Sequence, residues 1–106
     1  MRDVARLVFL GAAMVLGQSG AAKAEAIRVE VSKVLFAPVE IKARIGDVIE
    51  WVNNDFVAHT ATARDGRFDV MLEPGRSGRI TLQKAGVVDY YCRYHPNMTG
   101  RVTVSE

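Results

Sequence analysis

The sequence predicts an all-β domain, a sandwich or closed barrel of about seven strands. Apolar and polar residues alternate with a period of two in the segments beyond residue 26, the pattern of half-buried strands. Turns bearing Gly or Pro recur about every 8 to 12 residues. Outside the N-terminal segment no stretch carries the apolar period of an amphipathic helix.

Each element follows from these signals. Ile27, Val29 and Val31 alternate with Arg28 and Glu30 in the first strand. Val39 to Arg44 follows Pro38, and Gly46-Asp47 turns the chain into Val48-Ile49-Glu50-Trp51-Val52, which ends at Asn53-Asn54-Asp55. His59 to Ala63 forms the next strand. Arg64-Asp65-Gly66 and Glu73-Pro74-Gly75 are turns, because Gly supplies positive φ and Pro fixes φ. Phe68 to Leu72 and Ser77 to Leu82 lie between and after them. Lys84-Ala85-Gly86 breaks the chain again before Val87 to Cys92, and Arg101 to Val104 is the last strand. Val88 and Tyr90 share a face with Cys92, so that thiol is expected to point inward from a strand end.

With 106 residues, the chain suffices for one small domain. It opens with Met1-Arg2-Asp3-Val4-Ala5-Arg6, runs through an apolar stretch from Leu7 to Gly17 and reaches Ala22-Lys23-Ala24. That basic, apolar and small-residue order is the order of a secretory signal, expected to be cleaved after Ala24. Residues 1–24 are therefore read as a signal peptide and residues 25–106 as a single domain exported to the periplasm. The apolar run is too short for a bilayer span, which needs about 20 residues, so no stable membrane insertion is expected. An uncleaved amphipathic anchor is the alternative. Cleavage would remove Arg2, Arg6, Lys23 and Asp3, leaving eleven basic and eleven acidic residues. A neutral chain gives no support to nucleic-acid binding, which needs clustered basic charge.

The chain has one cysteine, which cannot form an internal disulfide. In an oxidising compartment a lone thiol calls for an occupant, and metal ligation supplies one. Cys92, His95 and Met98 stand in a Cys-x-x-His-x-x-Met cluster, and His59 is the only other histidine. A thiolate, two imidazoles and a thioether form the soft His2Cys set with a weak axial Met that selects electron-transfer copper. Taken singly, His59 and His95 read as surface residues, Cys92 as a small buried hydrophobe and Met98 as a core filler. Their coincidence at one spacing points to a metal site. Met71 is read as packing. Pro96 restrains the loop, and Gly100 is expected to permit its exit through backbone freedom. Backbone amides near Asn53 or Thr60, and an apolar shell of Phe36, Trp51, Phe56 and Tyr90, are candidates to hydrogen-bond and desolvate the sulfur.

Two other classes are weighed. A Cys/His pair can serve as a thiol nucleophile and its base. That reading leaves Met98 unexplained and finds no third catalytic group, so the chain is not expected to be an enzyme. A periplasmic copper-storage or trafficking protein would use exposed arrays of Met and His, whereas the cleaved chain holds only two of each.

On these residues the chain resembles the cupredoxins, the small blue copper proteins. The loop Cys92-Arg93-Tyr94-His95-Pro96-Asn97-Met98 is most similar to that of the amicyanins, which have the same two-residue gaps on either side of the histidine. Plastocyanins and pseudoazurins resemble it more loosely, because their His-to-Met gap is longer. The similarity runs from Ile27 to Glu106 and includes Gly46-Asp47, the Trp51 strand and Lys84-Ala85-Gly86 leading into Tyr90-Tyr91-Cys92. The resemblance implies a Greek-key β-sandwich of the cupredoxin type, monomeric, with one copper per chain cycling between copper(I) and copper(II). His59, Cys92, His95 and Met98 would be its ligands. It implies a soluble one-electron carrier between larger redox proteins, a donor dehydrogenase or a cytochrome acceptor, docking near His95. Tyr94, Pro96 and Asn97 would surround that port, and Arg93 and Arg101 would supply positive charge at its rim. The chain departs from the family in three ways. Once cleaved it would lack the extra N-terminal segment of amicyanins, so an edge strand is expected to be missing or differently paired. Thr60 stands where the family usually has Asn, which ties the two ligand loops together and has the longer reach. Nothing matches a docking surface for methylamine dehydrogenase.

Overall fold

The structure, a computed structural model, describes residues 23–106. Residues 1–22, with nearly all of the expected export signal, lie outside the described residues. Within the described residues the strands are β1 (Ala26–Ser32), β2 (Leu35–Ala37), β3 (Glu40–Arg44), β4 (Val48–Asn53), β5 (His59–Ala63), β6 (Asp69–Leu72), β7 (Ser77–Thr81), β8 (Gly86–Tyr91) and β9 (Thr99–Ser105). Two sheets result, one in the order β2-β1-β4-β7 and the other in the order β3-β9-β8-β5-β6. The pairs β1–β4 and β3–β9 are parallel, and the others are antiparallel. The architecture is a sandwich of mixed sheets, and among the described residues it does not close into a barrel.

The period of two decides which side chains meet between the sheets. Val29 and Val31 of β1 and Ile49 and Trp51 of β4 are buried, as are Ile41 and Ala43 of β3, Val88 and Tyr90 of β8, and Val102 and Val104 of β9. The intervening Lys42, Asp89, Arg101 and Thr103 are exposed. Aromatic rings fill the centre. Phe36 meets Tyr90 edge-on at 4.8 Å, and Trp51 lies 5.5 Å from Phe68 and 5.6 Å from Tyr90. Such pairs add about 0.5–1.5 kcal/mol each beyond the area they bury.

Among the described residues there are nine strands against the expected figure of about seven; eight coincide with the segments read as strands from the sequence, and β2 is the one without a sequence signal. Ser32 pairs with Leu35, so Lys33 and Val34 form a two-residue hairpin loop, with φ of 55° and 59°. Loops of this kind ordinarily carry Asn-Gly or Asp-Gly, because both positions need positive φ. The turn is held from outside instead. Asp55 accepts the Lys33 amide at 2.7 Å and the Val34 amide at 3.0 Å.

Gly100 also differs from expectation. It lies within β9, and a Cβ built on it would come within 2.4 Å of Tyr90 Cζ. The residue is small because the Tyr90 ring lies against it, and not because the loop exit needs unusual backbone angles. At the opposite turn Asp47 does the fastening: its carboxylate accepts the amides of Glu25 and Arg44, each at 2.9 Å.

Candidate metal centre

The loop that joins β8 to β9 is two β-turns in succession. The His95 amide donates to the Cys92 carbonyl at 3.2 Å, and the Met98 amide donates to the His95 carbonyl at 2.8 Å. The Cys92 amide then closes the base by donating to the Met98 carbonyl at 3.0 Å. Each gap of two residues in Cys-x-x-His-x-x-Met is thus one turn, and the pair of turns folds His95 back over Cys92. Pro96 takes the second position of its turn, where its fixed φ is favoured. Cys92 continues the inward face of Val88 and Tyr90 and is fully buried, while Met98 is buried and His95 half-buried.

His59 arrives from the other side, at the start of β5 and on the same face as the buried Ala61 and Ala63. Its Nε2 lies 2.8 Å from Asp55 Oδ2. Burial alone would push the Asp55 carboxyl up, but the Val34 amide, the His59 ring and the Lys33 amide outweigh it, and its pKa lies below the ordinary value. A carboxylate there keeps the proton on Nε2 and leaves Nδ1 as the free donor.

Both imidazoles turn Nδ1 toward the thiol. Cys92 Sγ is 3.7 Å from His59 Nδ1 and 3.7 Å from His95 Nδ1, and the donor atoms of the three residues lie within 4.8 Å of one another. An ion bonded to sulfur at about 2.3 Å and to nitrogen at about 2.0 Å, with about 120° between them, sets those donors about 3.7 Å apart. The residues present therefore fit a metal ion. One further interaction reaches the sulfur: the Thr60 amide donates to Sγ at 3.3 Å. The Thr60 hydroxyl accepts the Arg93 amide at 2.9 Å, so threonine does tie the two loops together in place of the usual asparagine.

Several expectations need correction. Phe56 is 98% exposed and forms no part of an apolar shell, whereas Phe36, Trp51 and Tyr90 are buried. The Asn53 amide goes to the Arg76 carbonyl, and its Nδ2 donates to the carbonyls of Val57 and Leu72, which fastens the His59 loop but does not touch sulfur. Met71 is 44% exposed, with its sulfur 4.0 Å from the Tyr94 hydroxyl, and is not a core residue. Arg93 and Arg101 are paired with Asp69 and Asp89, which offsets the positive charge expected at the rim. The residue missed altogether is Asp55; a carboxylate four positions before a candidate histidine ligand was its available signal.

Residues 6–104 match the cupredoxin-like domain. The chain belongs to that family. Among curated members it is similar to amicyanin from Paracoccus denitrificans, 28% identical over 85 residues that cover 74% of this chain and 65% of that protein. The cupredoxin-like chain thus spans just under two thirds of that relative's length. Among solved structures it is similar to a variant of amicyanin in the reduced state, with a TM-score of 0.66 and 28% identity over 76% of this chain and 82% of the other. It is also similar to part of a copper-containing nitrite reductase from Thermus scotoductus SA-01, with a TM-score of 0.71 and 28% identity over 81% of this chain and 24% of the enzyme.

Proposed function

We propose that this cupredoxin-like chain is a type 1 copper protein that carries single electrons between larger redox proteins in the periplasm, as a monomer of residues 25–106. His59, Cys92 and His95, with the buried Met98 beside the last two in the loop sequence, would hold one copper. The observation that carries the reading is the pair of equal 3.7 Å separations from Cys92 Sγ to the two Nδ1 atoms, in a fully buried thiol. Copper bound there supplies a one-electron couple between its two oxidation states.

The protein's own part is to keep the donors from moving. Asp55 fixes the His59 ring, the Thr60 amide holds negative charge on the Cys92 sulfur, and the two turns set His95 over it. A soft sulfur and a preset spacing suit both oxidation states, so little rearrangement accompanies electron transfer. His95 is the half-buried member, at a cleft lined also by Val34, Leu35, Tyr94, Pro96, Asn97 and Met98. That edge is the port for partners. Full burial of Cys92 argues against a thiol nucleophile and against rapid exchange of metal.

Voltammetry of the copper-loaded protein, with copper transfer to a weak chelator followed in parallel, tests the reading. A reversible one-electron wave with slow copper loss is expected. Rapid copper loss without such a wave would replace the electron carrier with a copper-trafficking protein.

A further inference from the structure

The Cys92 loop is anchored to β5 by a hydrogen-bond path that extends well beyond Thr60. The ladder between β5 and β8 covers only Thr62 with Tyr91 and Ala63 with Tyr90. Beyond it the loop has turned away, and the Thr60 hydroxyl takes the Arg93 amide at 2.9 Å where a ladder bond would have come next. Thr60 is fully buried, so its hydroxyl needs partners for both its oxygen and its proton. Thr62, two residues on and on the same face of β5, lies 2.9 Å away, oxygen to oxygen. The Thr62 hydroxyl in turn lies 2.7 Å from Asp69 Oδ1, and the two residues are register partners across β5 and β6.

The chemistry of the groups fixes the direction of the whole path. An ionised carboxylate only accepts, so the single Thr62 proton goes to Asp69. Thr62 must then accept from Thr60, and Thr60 accepts from Arg93. We infer that Thr62 and Asp69 are positioning residues of the metal centre, which hold the Cys92 loop against β5 through a one-way chain of hydrogen bonds from the Arg93 amide to the Asp69 carboxylate. This rests on the copper reading above for its effect on the metal, but not for the tie itself. A hydroxyl that donates to a carboxylate becomes a better acceptor, so each bond in the path strengthens the one before it. The exposed Arg93–Asp69 pair, 3.3 Å from Nε to Oδ1, is worth little as an ion pair; it keeps Asp69 turned toward Thr62. The tie acts on the centre because the residue that holds Arg93 through its hydroxyl also donates its own amide to Cys92 Sγ. Loosening the path lengthens that donation, leaves thiolate charge less stabilised and favours the oxidised state.

The test uses Thr62→Val, which removes the hydroxyl at nearly constant shape, Thr62→Ser, which keeps it, and Asp69→Ala at an exposed position where misfolding is not a concern. In the metal-free proteins, Arg93 amide exchange measured by NMR should quicken about fivefold in Thr62→Val and Asp69→Ala, the factor that one lost hydrogen bond of ordinary net strength gives, and should stay at the parent rate in Thr62→Ser. In the copper-loaded proteins the reduction potential should fall in the first two and return in Thr62→Ser. Unchanged Arg93 exchange in both Thr62→Val and Asp69→Ala would overturn the inference. Quickened exchange with an unmoved potential would overturn the assignment of these residues to the metal centre. Failure of the parent protein to show thiolate-to-copper absorption would instead overturn the copper reading, with the exchange measurement still deciding the tie.

Discussion

Asp55 is the residue on which two left-handed backbone positions and a candidate ligand converge. Carboxylates that orient a metal-bound imidazole typically account for about 10- to 100-fold in metal affinity, and Asp55→Ala is expected to lower copper affinity by that factor. Competition with a chelator measures it, and an unchanged affinity would mean that His59 is oriented by packing alone. Gly100→Ala is expected to destabilise the fold by about 1–3 kcal/mol, because the new methyl meets the Tyr90 ring and overpacks the core. Denaturant unfolding of the metal-free protein reads this directly. Not all of this was legible at the level of single residues. The convergence of His59, Cys92 and His95 is legible, since the spacing of Cys92 and His95 is local and His59 has no competitor. The sequence shows Asp55 only as the end of a strand, because its partners Lys33 and Val34 lie 22 and 21 positions away. The exposure of Phe56 is not legible, because a lone aromatic in a loop has no alternating neighbours to show which way it faces.

Among the elements, the ligand loop was legible and the first hairpin was not. The sequence indicates a tight loop restrained by Pro96, and the structure builds it from two turns, one for each gap of two residues. The β1–β2 hairpin instead turns on Lys33-Val34, a pair with no intrinsic preference for positive φ. L-residues other than Gly, Asn and Asp cost roughly 1–2 kcal/mol in that conformation. The double substitution Lys33→Asn with Val34→Gly is therefore expected to raise the unfolding midpoint, since the favoured loop residues replace strained ones. A lower midpoint would mean that the Asp55 bonds and the Val34 side chain contribute more than the backbone strain costs. The remaining disagreements are strand ends, where β3 begins at Glu40 after Val39 and β9 begins at Thr99 ahead of Arg101. Alternation alone cannot fix ends that depend on a neighbour's register.

For the molecule as a whole, the all-β class was legible because buried and exposed residues alternate along nearly every strand. The choice of sandwich over barrel was not, because it depends on which distant strands pair. Hydrogen bonds to carboxylates also set the response to acid. The amides of Glu25 and Arg44 hold the Asp47 carboxyl below the usual carboxylate range, and the Arg67 amide and guanidinium hold Asp65 there. The Arg101 side chain does the same for Asp89. Such groups take up protons less readily folded than unfolded. Their contribution to stability is complete above about pH 4 and is lost as pH falls through the depressed values. Asp47→Asn should accordingly unfold at a lower midpoint than the parent near neutral pH and approach it in acid; a constant difference at all pH values would assign Asp47 no part in the acid response. The central claim is that Cys92 binds copper as a thiolate between two imidazoles. Visible absorption with metal analysis, on the copper-loaded protein and its Cys92→Ser variant, tests it most directly. The account predicts one copper per chain with intense thiolate-to-copper absorption that disappears in Cys92→Ser; the same absorption in the variant, or one copper per chain without it in the parent, would contradict it.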